Sequence, residues 1–181
     1  MTILRRKLAT AWALPRFVRL WLGPVWLLIG LAAVAIRLLP FRRIAALLGT
    51  DLGASGFIPL ADAVQSRRAL QIRATIALAI KYAPFRADCL PQAIAGALLC
   101  RVYQVPYALH FGARMRPPTD HASAMDAHAW LVTDRIAVTG GWASFDHYAL
   151  LLCLVFPALP VDRQVSADAP TPWPRHPERA D

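Results

Sequence analysis

The stretch DCLPQAIAGALLCRVYQVPYALHFGARM, Asp88 to Met115, changes its hydrophobic period midway. Leu90, Ile94, Leu98 and Val102 recur at helical spacing, whereas Tyr107, Leu109, Phe111, Ala113 and Met115 alternate as on a half-buried strand. Asp88 is of a type that caps helices, so a helix should begin at Cys89 or Leu90. Pro91 then falls in its first turn, where a missing amide costs no helical hydrogen bond. A helix feeding straight into a strand frames the rest of the chain.

Upstream, after the glycine-containing break TDLGASGF, the segment Ser66 to Tyr82 places Ala69, Ile72, Ile76 and Ile80 on one helical face. Tyr82-Ala83-Pro84-Phe85 ends it. Downstream, RPPTDHASAMD reads as a polar loop, and His128–Thr133 and Ile136–Thr139 read as two short strands joined around Asp134-Arg135 in a hairpin. Tyr148–Phe156 is an apolar run of strand or short-helix length. Helices first and an antiparallel sheet after them make an α+β layout. Three portions are expected: a basic, apolar helical segment over residues 1–50, a catalytic domain over 51–158, and a tail over 159–181. From Pro160 onward five prolines and little apolar surface predict disorder, and no internal repeat is found.

The chain has 181 residues, 57% of them hydrophobic, with a mean hydropathy of +0.41, which brings membrane contact into consideration. Arg5, Arg6, Lys7, Arg16, Arg19, Arg37, Arg42 and Arg43 all precede the first acidic residue, Asp51, and hold eight of the nine net positive charges. The basic character therefore describes one end of the chain. It does not describe a groove with interleaved aromatic residues, so nucleic acid is not expected as a partner. Leu20 to Ile36 is a run of 17 residues without a charge, bracketed by Arg19 and Arg37, at the lower length limit for a membrane span. Gly23-Pro24 is expected to break its first turn. Three readings stay open: a helix buried or lying at an interface, a spanning helix, and a signal peptide with Ala33-Val34-Ala35 imitating a cleavage site.

Cys89, Cys100 and Cys153 are odd in number and widely spaced, with no CxxC and no zinc-ligand interval, so free thiols in a cytoplasmic setting are expected, with no metal and no cofactor. The single glutamate is Glu178. A carboxylate-pair mechanism would need aspartates alone, and their spacing suggests none. A cysteine at a helix start is where a thiolate forms most easily, because free amides and the helix dipole favour negative charge there. A histidine on a neighbouring strand can take its proton. His128 has that position, and alternation puts Trp130 and Val132 on its face, so Trp130 should flank the imidazole. The bland alternative is a small buried cysteine and an unrelated histidine. Cys100 and Cys153, in apolar runs, read as inert. His110, His121 and His147 read as surface residues.

ADCL, VPYALHFGA and AHAW together resemble the transglutaminase-like cysteine peptidases of lasso-peptide biosynthesis, the B proteins that remove the leader from a ribosomally made precursor. LLPFRRIAALLG and the helix before YAPFRADCL are similar to the same family, over about Arg37 to Phe156. The resemblance implies a transglutaminase/papain-like core with helices packed on an antiparallel sheet. It also implies Cys89 as nucleophile and His128 as general base, then acid. The family's third residue, an Asp on the return strand, has Gly140 in its place here. Asp146 could fold back to serve instead, or a backbone carbonyl or water could orient the ring. Gln92 could assist an oxyanion beside the Cys89 amide. Implied partners are the precursor peptide, a separate leader-recognition protein and an ATP-dependent lasso cyclase. Two alternatives remain: Cys/His acyl transfer to an amine, and a non-catalytic scaffold in peripheral contact with the membrane.

Overall fold

The computed structural model describes residues 14–83, 88–115 and 125–159. Most of the polar loop with His121, and the proline-rich tail, lie outside the described residues. The elements run α1 (Arg16–Leu38), α2 (Phe41–Leu48), β1 (Thr50–Asp51), α3 (Ala63–Lys81), α4 (Cys89–Val102), β2 (Tyr107–Met115), β3 (Met125–Thr133), β4 (Ile136–Thr139), α5 (Ser144–His147) and β5 (Ala149–Phe156). The five strands form one antiparallel sheet in the order β1-β5-β2-β3-β4, and the α+β class expected from the sequence is the one observed.

The period change at Gln104 holds: α4 stops at Val102, and β2 starts five residues later. The hairpin turns at Asp134-Arg135, with Asp134 at φ 46°. The last apolar run resolves as a strand because β2 offers it a full pairing edge, Tyr107 to Ala113 against Phe156 to Ala149. Helix α3 begins earlier than Ser66. The Asp62 carboxylate accepts from the Val64 and Gln65 amides while the Gln65 side chain accepts from the Asp62 amide, a reciprocal cap.

Two expectations about burial need correction. Strand β2 is buried on both faces, because it lies at the centre of the sheet. Helices cover Tyr107, Leu109 and Phe111, while Ala108 and His110 face a second layer with Trp130, Val132 and Cys153. His110, expected at the surface, is fully buried. In α4 the deepest face is made by Ala93, Ala97 and Cys100 with Gly96. A Cβ on Gly96 would come within 2.9 Å of Leu131 Cδ2, so the small residue lets the helix lie close on β3. Leu90 and Leu98 are only half-buried and Val102 is 61% exposed.

Helix α1 runs unbroken through Gly23-Pro24. Proline there removes one helical hydrogen bond from the exposed side, which a helix held by packing tolerates. The holding contacts are with α3 and α4. Val25, Ile29 and Ala32 are buried in the main core, and Trp21 Nε1 donates to Tyr103 Oη at 2.5 Å. The Arg68 guanidinium lies 4.9 Å from the Phe17 ring centre and 4.3 Å from that of Tyr103. The N-terminal helical portion is thus packed along the domain.

Candidate active site

Cys89 is the first residue of α4, after Asp88 in extended conformation at the cap position. The Asp88 side chain makes no capping hydrogen bond and the Gln92 amide donates to the Asp88 carbonyl, so the Cys89 and Leu90 amides are left for another acceptor. The thiol is free, half-buried and packed at the margin of the helix-side core. Because α4 ends where β2 begins, its C-terminus sits at the sheet end where Ala108 pairs with Val132. Its N-terminus therefore points toward the other end, where Gly112 pairs with His128.

His128 belongs to the opposite face. It shares with Trp130 the side of β3 turned away from α4, while Ala129 and Leu131 face the helix. Its ring stacks on Tyr148 with centroids 5.0 Å apart and on Trp130 at 5.9 Å, so Trp130 flanks the imidazole as expected. Two glycines shape this slot. A Cβ on Gly112 would sit 2.8 Å from Trp130 Cη2 and 2.9 Å from Tyr148 Cβ. One on Gly140 would sit 2.4 Å from Trp130 Cβ and 3.1 Å from His128 Nε2.

Strand β4 ends at Thr139, so among the described residues no strand pairs with that edge of β3 at His128. On the helix side of that edge lies a recess of about 200 Å³. Gln92 from the first turn of α4, Arg73 and Ile80 from α3, and Thr139 and Gly140 line it. Gly140 thus stands between the recess and His128 Nε2. The structure places Cys89 with the helix-side core and the His128 ring on the opposite face of the sheet. Among the described residues no hydrogen bond joins Cys89 Sγ to the imidazole.

Asp146 is exposed on the short α5 and makes no hydrogen bond to His128. A carboxylate that does reach this layer is Asp126, which sequence reasoning did not single out. Its Oδ2 accepts from Tyr148 Oη at 3.1 Å and from Arg114 Nε at 2.9 Å, so it holds the ring on which His128 stacks. Alternation was the available signal, since a residue two before His128 on a strand must share its face. Burial pushes the Cys100 thiol up to about 12. Burial, with a smaller push from Asp51, raises Cys153 to about 11. Neither can act as a thiolate near neutrality, in line with their reading as inert. Among the described residues no group of His, Cys, Asp or Glu has metal-binding geometry.

His110 stacks on the far side of Trp130 at 5.6 Å and meets Phe145 edge-on at 4.9 Å. Burial lowers its pKa to about 4, against a smaller opposing effect of the Phe57 backbone. Neither ring nitrogen has a partner of normal hydrogen-bond geometry. A native imidazole that resists protonation while the unfolded one titrates near 6.5 makes stability fall as pH drops from 6.5 toward 4. The effect amounts to at most about 3 kcal/mol. His110→Phe, which keeps a ring against Trp130, should flatten that slope in urea unfolding compared at pH 7 and pH 5.

Gly140 at φ 78° explains why an aspartate is not accommodated there. Gly140→Asp should therefore not build a third catalytic member. It should destabilise the fold by about 2 kcal/mol or more through the left-handed backbone and the Trp130 collision, read as a lower thermal midpoint with no gain in activity.

A family model of the transglutaminase-like superfamily matches residues 35–153, which include Cys89, Gln92, His128, Trp130 and Asp146. No curated protein and no solved structure matches the chain. With two thirds of its residues under that match and helices laid on a five-stranded antiparallel sheet, the chain belongs to the transglutaminase-like superfamily, whose members include cysteine peptidases and acyltransferases.

Proposed function

We propose that this protein is a cysteine peptidase that removes the leader from a ribosomally synthesised lasso precursor peptide. The observation that supports the reading is Cys89 opening α4 inside the matched segment, which also contains His128. The Cys89 thiol gives its proton to the imidazole, and the sulfur attacks the scissile carbonyl. The resulting oxyanion is met by the free first-turn amides, with Gln92 from the adjoining recess. The imidazolium then protonates the leaving amine as the C–N bond breaks. This leaves a thioester, which water activated by His128 hydrolyses. For this cycle the His128 ring must reach the helix side past Gly140, where a Cβ would stand 3.1 Å from Nε2.

In this reading Asp146 is the weakest member of the triad, and the Tyr148 and Trp130 rings orient the imidazole in its place. A separate recognition protein delivers the leader, and an ATP-dependent cyclase takes the freed core. The direct test is incubation of the chain with a precursor peptide, with and without a recognition protein, read by mass spectrometry. One defined cut supports the proposal. An amine adduct at the same carbonyl would instead mark acyl transfer. The second reading, a non-catalytic scaffold, is favoured by one observation, the lack of a hydrogen bond between Cys89 and His128.

A further inference from the structure

Among the described residues α1 is the one helix long and apolar enough to cross a membrane, with a mean hydropathy of 1.9 over its best window. Its packing opposes crossing. One face is buried along its length against α3 and α4, and α3 carries Arg67, Arg68, Arg73 and Lys81. A spanning α1 would either drag those charges into hydrocarbon or strip Val25, Ile29 and Ala32 from the core.

The other face is a continuous apolar stripe. Leu20, Leu27, Leu31, Val34 and Leu38 fall within about 60° of arc at the helical repeat and are all half-exposed or more, Leu38 at 76%. Leu47 on α2 is also exposed, at 65%. Arg16 stands at the start of α1 and Arg37 at its end, and Arg42 and Arg43 follow on α2, all exposed, with no acidic residue earlier in the sequence than Asp51. An apolar strip flanked mostly by cations, with Asp88 the acidic neighbour beside Val34 and Arg37, matches the boundary of an anionic bilayer, where leucines enter the acyl region and guanidinium groups meet phosphates.

We infer that α1 lies flat in the interfacial plane of an anionic phospholipid bilayer, its Leu20–Leu38 stripe in the acyl boundary and its core-facing side still packed on the domain. Val34 also lines a cleft of about 640 Å³ that reaches Asp88, Leu90 and Pro91 in and before the first turn of α4. The bilayer would close one side of that cleft, so the helix end bearing Cys89 would work at the membrane surface. The stripe stands whether or not Cys89 is catalytic.

The test is flotation of the full chain with vesicles of phosphatidylcholine alone or mixed with phosphatidylglycerol, at low and high salt. Binding to the mixed vesicles, weakened by salt, is expected. Leu27→Asp/Leu31→Asp should reduce the bound fraction at least tenfold while circular dichroism stays native. If that variant fails to fold, Arg37→Gln/Arg42→Gln/Arg43→Gln should remove the preference for anionic lipid. Alkaline carbonate should release the bound protein. Four results would each overturn the inference: no binding to mixed vesicles, binding that none of these substitutions alters, carbonate-resistant insertion, or a concentration-dependent dimer dispersed by the Leu27/Leu31 variant without lipid binding. Cys89→Ala should float like the unchanged chain, so loss of peptidase activity and loss of lipid binding remain separate outcomes.

Discussion

Replacing Cys89 with Ala is expected to leave the precursor peptide uncut, a loss on the order of 10⁵-fold or more in rate. The size follows from the chemistry: without the sulfur no acyl-enzyme forms, and only the few amides of the α4 first turn remain to polarise the carbonyl. Cys89→Ser should be nearly as damaging, because a hydroxyl at a helix start stays protonated near neutrality where a thiol can ionise. The measurement is a precursor digestion time course by mass spectrometry, with thermal unfolding as a folding control. Cys89 is half-buried at the margin of the core, so its replacement should change the thermal midpoint little. Cys100→Ala separates reactivity from packing. That thiol is wholly buried and should lower stability without touching the per-molecule rate. Full precursor processing by Cys89→Ala would sink the peptidase reading and leave the scaffold.

Much of this arrangement is legible in the residues. The switch from Leu90-Ile94-Leu98 spacing to Tyr107-Leu109-Phe111 alternation locates the junction of α4 and β2 within a few residues, because the two periods are geometric properties of the backbone. The Cys89 helix start and the Asp134 turn are legible for the same kind of reason, a local one. What alternation cannot supply is which side of the sheet the helices cover. It groups His128 with Trp130 and Val132, but only the packing of Gly96 against Leu131 decides that α4 lies on the other face. Nor does it reveal that β2 is central. A strand with partners on both edges and layers on both faces buries even its polar positions, which is how His110 comes to lie beneath Trp130. The capping box at Asp62 and Gln65 was readable, and would have started α3 before Ser66.

His128→Ala should slow precursor cleavage by about 10²–10⁴-fold, the usual contribution of a positioned acid–base group. The ring packs against Tyr148 and Trp130, whose own ring centres lie 6.2 Å apart, and a Cβ on Gly140 would stand 3.1 Å from Nε2. Its removal leaves a gap beside these two rings, and added imidazole should enter that gap and restore part of the rate in a concentration-dependent way. His128→Phe is the decisive companion. It refills the slot and keeps the stacking on Tyr148 and Trp130, so a structural role predicts activity close to that of the unchanged chain, whereas a proton-transfer role predicts an enzyme as slow as the Ala variant and deaf to imidazole. Asp126→Asn bears on the same point from behind. It weakens the hold on Tyr148 Oη and Arg114 without removing any group that moves a proton, so its effect should be several-fold at most and should leave imidazole rescue of the His128→Ala background intact. If His128→Phe retains full activity, the base lies elsewhere, and the placement of His128 on the face away from α4 would be the reason.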